Sequence, residues 1–141
     1  QVPDSILLTI LKTHLVCESL IERYMQYRIS RPEFIPKLTF DKKLSIAKAL
    51  SENNELDQIW GSIKKLNKLR NDLAHQFSPK NFDQKLDDFL TFVEKNFSIT
   101  EQFTSLNDRV AFATATLLNS FAPIALGKTI TTKEEQEDEN A

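Results

Sequence analysis

Glycine is almost missing from this chain: of 141 residues only Gly61 and Gly127 are glycine. A β-rich fold of this length needs many tight turns, which glycine usually supplies. Cysteine is scarcer still. Cys17 stands alone, which excludes an intramolecular disulfide and a multi-cysteine zinc centre and agrees with a reducing compartment. No apolar run approaches the roughly 20 residues that span a bilayer, so no membrane segment is expected. The opening Gln-Val-Pro-Asp has neither a basic flank nor a cleavage site, and no secretion signal is expected. A cytoplasmic location follows as the expectation. Two histidines and one cysteine also make a metal centre of nitrogen and sulfur ligands an unpromising reading, and neither metal nor cofactor is expected.

What remains is ordinary globular composition, 40% hydrophobic and 27% charged, with enough chain for one packed domain. Charge is unevenly divided. Residues 127–141 carry five acids against Lys128 and Lys133, a balance of −3, so the −2 of the whole chain leaves +1 for residues 1–126. That division sets the expected organisation: a single helical domain over 1–126 and an acidic tail over 127–141 that has little to bury and is expected to be disordered. Lys64, Lys65 and Lys68 form the one notable basic cluster, thin support for a DNA-binding repressor, which needs a recognition helix with groove-reaching basic side chains.

Hydrophobic spacing and punctuation predict five helices. The first spans about Asp4 to Tyr27, with Asp4 as its N-cap. Arg31-Pro32 and Ile35-Pro36 force an extended connection, because the residue before proline avoids the helical region. A second helix, Phe40 to Leu50, starts at a Thr39 cap. The third covers about Glu55 to Gln76 and ends at Ser78-Pro79. The fourth, Phe82 to Asn96, places Phe82, Leu86, Phe89, Leu90 and Val93 on one side. The fifth, Leu106 to Phe121, opens at Ser105 and closes with Pro123 and Gly127. The fold class is all-α, a four- to five-helix bundle.

The third helix holds the anomaly. At about 100° per residue, Ile59, Ile63, Leu66, Leu73 and Phe77 cluster within roughly 40°, and Arg70 falls inside the same stripe. A guanidinium keeps its proton, so if buried it must be paired. Glu18, in a broad apolar sector of the first helix, is the expected ion-pair partner, with Glu22 as the alternative. Asn71 and His75 are four residues apart and share a polar flank with Asn67 and Lys68. His14, on the first helix, reads as a satisfied core or interface histidine. Cys17 reads as a buried small hydrophobe, and Trp60-Gly61 as a place of close helix packing or a dimer contact.

The stretch Leu66-Asn67-Lys68-Leu69-Arg70-Asn71-Asp72-Leu73-Ala74-His75 resembles the signature of the HEPN superfamily: Arg, a polar residue, and His further along, near the end of a bundle helix. His14 through Tyr24 and Phe40 to Leu50 also resemble segments of such proteins, and the likeness covers roughly residues 5–95. The resemblance implies a HEPN-like bundle and a homodimer whose two motifs face one cleft. It further implies a metal-independent endoribonuclease of toxin or defence type, with Arg70, Asn71 and His75 as catalytic residues. Lys64, Asn67 and Lys68 are then the expected RNA contacts. Other members are non-catalytic partners or regulators, so an antitoxin-like or repressor-associated binding module, or a chain paired with a cognate antitoxin or regulatory protein, is the competing expectation. Some toxin relatives carry Tyr two residues after the His; here that position is Phe77. One geometric difficulty is legible in advance: on an ideal helix Arg70 and His75 stand about 140° apart.

Overall fold

A computed structural model describes residues 2–75 and 81–127, without the side chain of His75. Five α-helices and no strand are found among these residues, which bears out an all-α bundle. The order is α1 (Asp4–Arg28), α2 (Phe40–Leu50), α3 (Asp57–His75), α4 (Phe82–Asn96) and α5 (Leu106–Ala125), with single 3-10 turns at Pro32–Phe34 and Asn54–Leu56. The tail expected to be disordered lies, beyond Gly127, outside the described residues.

Local chemistry sets most boundaries. Thr39 accepts a hydrogen bond from the Lys42 amide and starts α2, and Ser105 does the same for the Asp108 amide at α5. Asn53 accepts from the Glu55 amide and opens the 3-10 turn that leads into α3. Asp4 is not the cap of α1: Pro3 occupies that place and Asp4 is the first helical residue, where its charge suits the positive helix end. Helix α4 stops without glycine. Ser98 adopts φ of 54°, and the Ile99 amide closes back onto the Glu94 carbonyl at 2.9 Å. Helix α5 runs one turn past its expected end, through Pro123, and is closed at Gly127, whose φ is +66°.

Helix α3 is central, packed against α1, α2, α4 and α5. The core between them holds Ile10, Ile21 and Tyr24 from α1, Trp60, Ile63, Leu66 and Leu69 from α3, Phe89 and Leu90 from α4, and Leu117 and Phe121 from α5. Trp60 stands edge-on to Tyr24 and to Phe121, at ring separations of 5.1 and 5.4 Å. Gly61 explains itself at the α3–α4 contact: a Cβ there would lie 2.7 Å from the Phe92 ring. Outside the core, Arg109 of α5 grips α4. It donates to both oxygens of Glu94 and to Asp87, at 2.7–3.2 Å, in the forked geometry an arginine suits.

No described helix is long and apolar enough to cross a membrane. One face of α1 does carry apolar side chains outward. Leu8, Leu11 and Leu15 recur at helical spacing and are 51%, 40% and 67% exposed.

Candidate functional site

Arg70, placed in the apolar stripe by periodicity, is exposed, and the buried neighbour on α3 is Leu69. The buried arc of α3 is wider than the wheel indicates, running from Leu69 through Leu66 and Ile63 to Trp60. Arg70, the residue after Leu69, is nonetheless exposed. No buried cation therefore needs neutralising. The guanidinium rests 3.5 Å from Asn71 Oδ1, the next residue.

The expected Glu18–Arg70 ion pair gives way to another. Lys43 of α2 reaches Glu18 at 3.4 Å and Glu22 at 2.7 Å, so one lysine serves both acids considered for Arg70. Its pKa is raised, chiefly by the hydrogen bond to Glu22. The helix wheel of α1 does not contain this information, because Lys43 arrives from across the α1–α2 connection.

Glu18 and Arg70 nevertheless share a cleft of about 280 Å³, formed where α1, the start of α2 and the end of α3 meet. Helix α1 contributes His14 and Glu18, α2 contributes Phe40 and Asp41 beside the Thr39 cap, and α3 contributes Asn67, Arg70 and Asn71. Two of the expected RNA contacts, Lys64 and Lys68, are exposed on α3. The third, Asn67, is buried and lines the cleft floor. His75 is the last residue of α3, and its side chain lies outside the described residues, as does Phe77.

The floor is a chain of polar contacts. The Asn67 side-chain NH2 donates to Asp41 Oδ1 at 3.4 Å, and Asn67 Oδ1 lies 3.0 Å from Nε2 of His14. With the amide in this sense its oxygen accepts, so Nε2 of His14 carries the proton. The reverse sense would set the amide oxygen against a carboxylate. The imidazole also stacks on Phe40 at 4.2 Å between ring centres. His14 is thus a satisfied buried histidine, 4% exposed, and at the same time a wall of the cleft. Two signals point to it in the sequence: it is one of two histidines, and its flank of α1 borders the apolar face.

Burial pushes the His14 pKa below its ordinary value of 6.5; the Asn67 bond opposes that shift, the charge of Arg70 adds to it, and Glu18 opposes it. The neutral ring is therefore the folded form near neutral pH. Because the folded value lies below the unfolded one, the unfolded chain binds the extra proton in the interval between them. The contribution of His14 to stability is present above about pH 6.5 and is lost as pH falls from there through the folded value, by roughly 1.4 kcal/mol for each unit separating the two. Urea unfolding of wild type and His14→Gln should show their stability difference narrowing between pH 7.5 and pH 5; a difference that holds constant refutes this.

Cys17 lies behind the same stretch of α1, fully buried, with its thiol pushed up to about 12 by desolvation, which leaves it inert as a nucleophile. Among the described residues no group of three or more His, Cys, Asp or Glu side chains gathers where it would hold a metal ion. Compared with family models, with curated proteins and with solved structures, the chain matches none.

Proposed function

We propose that this chain is a HEPN-type, metal-independent endoribonuclease that works as a homodimer through Arg70, Asn71 and His75. The observation that carries the reading is the open guanidinium of Arg70, held beside Asn71 on a cleft at the end of α3. Cleaving RNA without a metal needs a cation for the crowded phosphorane and groups that move protons to and from its oxygens. Arg70 offers two parallel donors to a phosphate, Asn71 a neutral amide, and His75 an imidazole, the side-chain type best suited to moving protons. The exposed Leu8, Leu11 and Leu15 support the dimer. They run along α1 up to Leu15, which lies within a turn of both His14 and Glu18, so a second copy docked on them would cover the flank of the cleft.

The competing reading, a non-catalytic HEPN-like module of antitoxin-like or repressor-associated type, is favoured by one observation: the carboxylates of Glu18 and Asp41 line the same cleft and repel a phosphate. Lys43 offsets the first of these at 3.4 Å. Incubating the purified protein with mixed-sequence RNA in excess chelator separates the two. The expected result is cleavage that leaves 2′,3′-cyclic phosphate ends, by a protein that sediments as a dimer. Intact RNA across diverse sequences would favour the binding module, which would then be sought by co-purification with its partner.

A further inference from the structure

The cleft holds an imidazole, that of His14, which the Arg70–Asn71–His75 reading does not use. We propose that Nδ1 of His14 is the base of the cleft, taking the 2′-hydroxyl proton of a ribonucleotide whose phosphate sits on Arg70, with Asn67 and Asp41 as its positioning residues. The proposal rests on the ribonuclease reading above and changes its division of labour.

The geometry runs from α2 inward. Asp41 accepts from the Asn67 amide, and Asn67 in turn accepts from Nε2 of His14, at 3.4 and 3.0 Å. A neutral imidazole has one N–H and one lone pair. Fixing the proton on Nε2 leaves the lone pair on Nδ1, which makes no hydrogen bond among the described residues. The Phe40 ring at 4.2 Å holds the imidazole plane, so His14 cannot swing away from this arrangement without breaking both the stack and the bond. An orienting group on one ring nitrogen and a free lone pair on the other is what a base requires. The volume of about 280 Å³ in front of it suits one nucleotide unit rather than a folded RNA element. The charged groups around the ring are Glu18 from its own helix, Asp41 from α2 and Arg70 from α3, with Lys43 of α2 held one step away on Glu18.

The step balances within one chain. The 2′-O–H bond breaks as the proton moves to Nδ1, and the oxygen's electron pair forms a new bond to phosphorus. The P–O5′ bond then breaks, and the leaving oxygen takes a proton from water. The products are a 2′,3′-cyclic phosphate and a 5′-hydroxyl, and the imidazolium of His14 returns its proton to the hydroxide left behind. The imidazolium formed at His14 keeps its Nε2–H on Asn67 and gains the nearby Glu18 and Asp41 charges. The two carboxylates that weaken phosphate binding in the resting cleft thus acquire a use.

Steady-state cleavage of a short RNA across pH 5–8 tests this with wild type, His14→Gln and Asn67→Asp. His14→Gln is expected to lose about 100-fold or more in kcat with KM within threefold, and to lose the acid limb of its kcat/KM profile. Asn67→Asp places a full charge against Nε2–H and should move that limb to higher pH, a shift that a purely structural role for Asn67 would not produce. A His14→Gln protein that cleaves within threefold of wild type overturns the proposal and leaves the ribonuclease reading standing. A wild type that cleaves no RNA defeats both. Should His14→Gln fail to fold, ring-nitrogen NMR of the wild type decides. Nδ1 of His14 is expected to be unprotonated at pH 7 and to shift when an uncleavable 2′-deoxy oligonucleotide of mixed sequence is added. A protonated Nδ1, or a resonance that does not move on binding, overturns the assignment.

Discussion

Arg70→Ala is expected to lower RNA cleavage by about 100- to 1,000-fold, the scale on which removing one donor to a developing anionic oxygen acts, while leaving the melting temperature nearly unchanged. The two halves of this expectation have separate origins. On the stability side, the guanidinium is exposed and its recorded contact is a 3.5 Å bond to the adjacent Asn71, so truncation removes little packing. Surface substitutions of this kind usually stay within about 0.5 kcal/mol. On the activity side, Arg70 is the one cation lining the cleft among the described residues, and the nearby Lys43 is committed to Glu18 and Glu22. Arg70→Lys should restore only part of the loss, because a point charge does not reproduce a two-pronged grip on phosphate. A further readout follows from electrostatics. Arg70 is among the groups that lower the His14 pKa, so its removal should raise that value, which NMR titration of the imidazole would register. Full activity of Arg70→Ala would remove the phosphate clamp from the mechanism and with it the main support for the ribonuclease reading.

Much of the scaffold was legible in the residues, and the reasons differ by element. Helix α2 was bounded correctly because Thr39 is a capping residue followed at once by an apolar-spaced run, and α4 because five apolar side chains mark one face without interruption. Helix α5 extends beyond the end its sequence predicts. Pro123 is a stop signal, yet proline interrupts only the bond its own missing N–H would make and its contact with the preceding turn. The helix absorbs that loss near its end and continues to Ala125.

The site was harder to read. A helix wheel ranks residues around one axis but does not say where along that axis each neighbouring helix begins or ends. Arg70 and Leu66 look equivalent on the wheel of α3, and only the bundle shows that Leu66 is fully buried while Arg70 stands exposed on the cleft shared with α1 and α2. Glu18 was correctly placed near Arg70, in one cleft, but its ion-pair partner comes from α2. The His14–Asn67 bond joins residues 53 apart in sequence and leaves no local trace. Burial of the Asn67 amide, seen only in the bundle, is what demands a partner for it.

Trp60→Ala carries the largest expected cost in stability, about 3–5 kcal/mol, against a total that for a domain of this kind is roughly 5–15 kcal/mol. Trp60 is 2% exposed at the point where α1, α3 and α5 converge, and both of its ring contacts, to Tyr24 and to Phe121, are edge-on. Removing the indole leaves a void that Tyr24 and Phe121 cannot both collapse into, since each is anchored on a different helix. Neither can the neighbouring Gly61 fill it, having no side chain. The indole N–H adds a second consideration: Nε1 of Trp60 is buried and has no hydrogen-bond partner among the described residues. Wild type therefore already bears a desolvation penalty of about 1–3 kcal/mol for that group. Trp60→Phe keeps an aromatic ring between Tyr24 and Phe121 and deletes the unpaired donor, so its cost should be clearly smaller than that of Trp60→Ala despite the lost volume. Urea unfolding of the three proteins gives the order wild type, then Phe, then Ala, with the Ala variant partly unfolded in the absence of denaturant if the parent lies at the low end of the range. Equal destabilisation by Phe and Ala would mean that the N–H does find a partner in solution, with water as the first candidate to look for, and that the aromatic cluster is more accessible than its burial indicates.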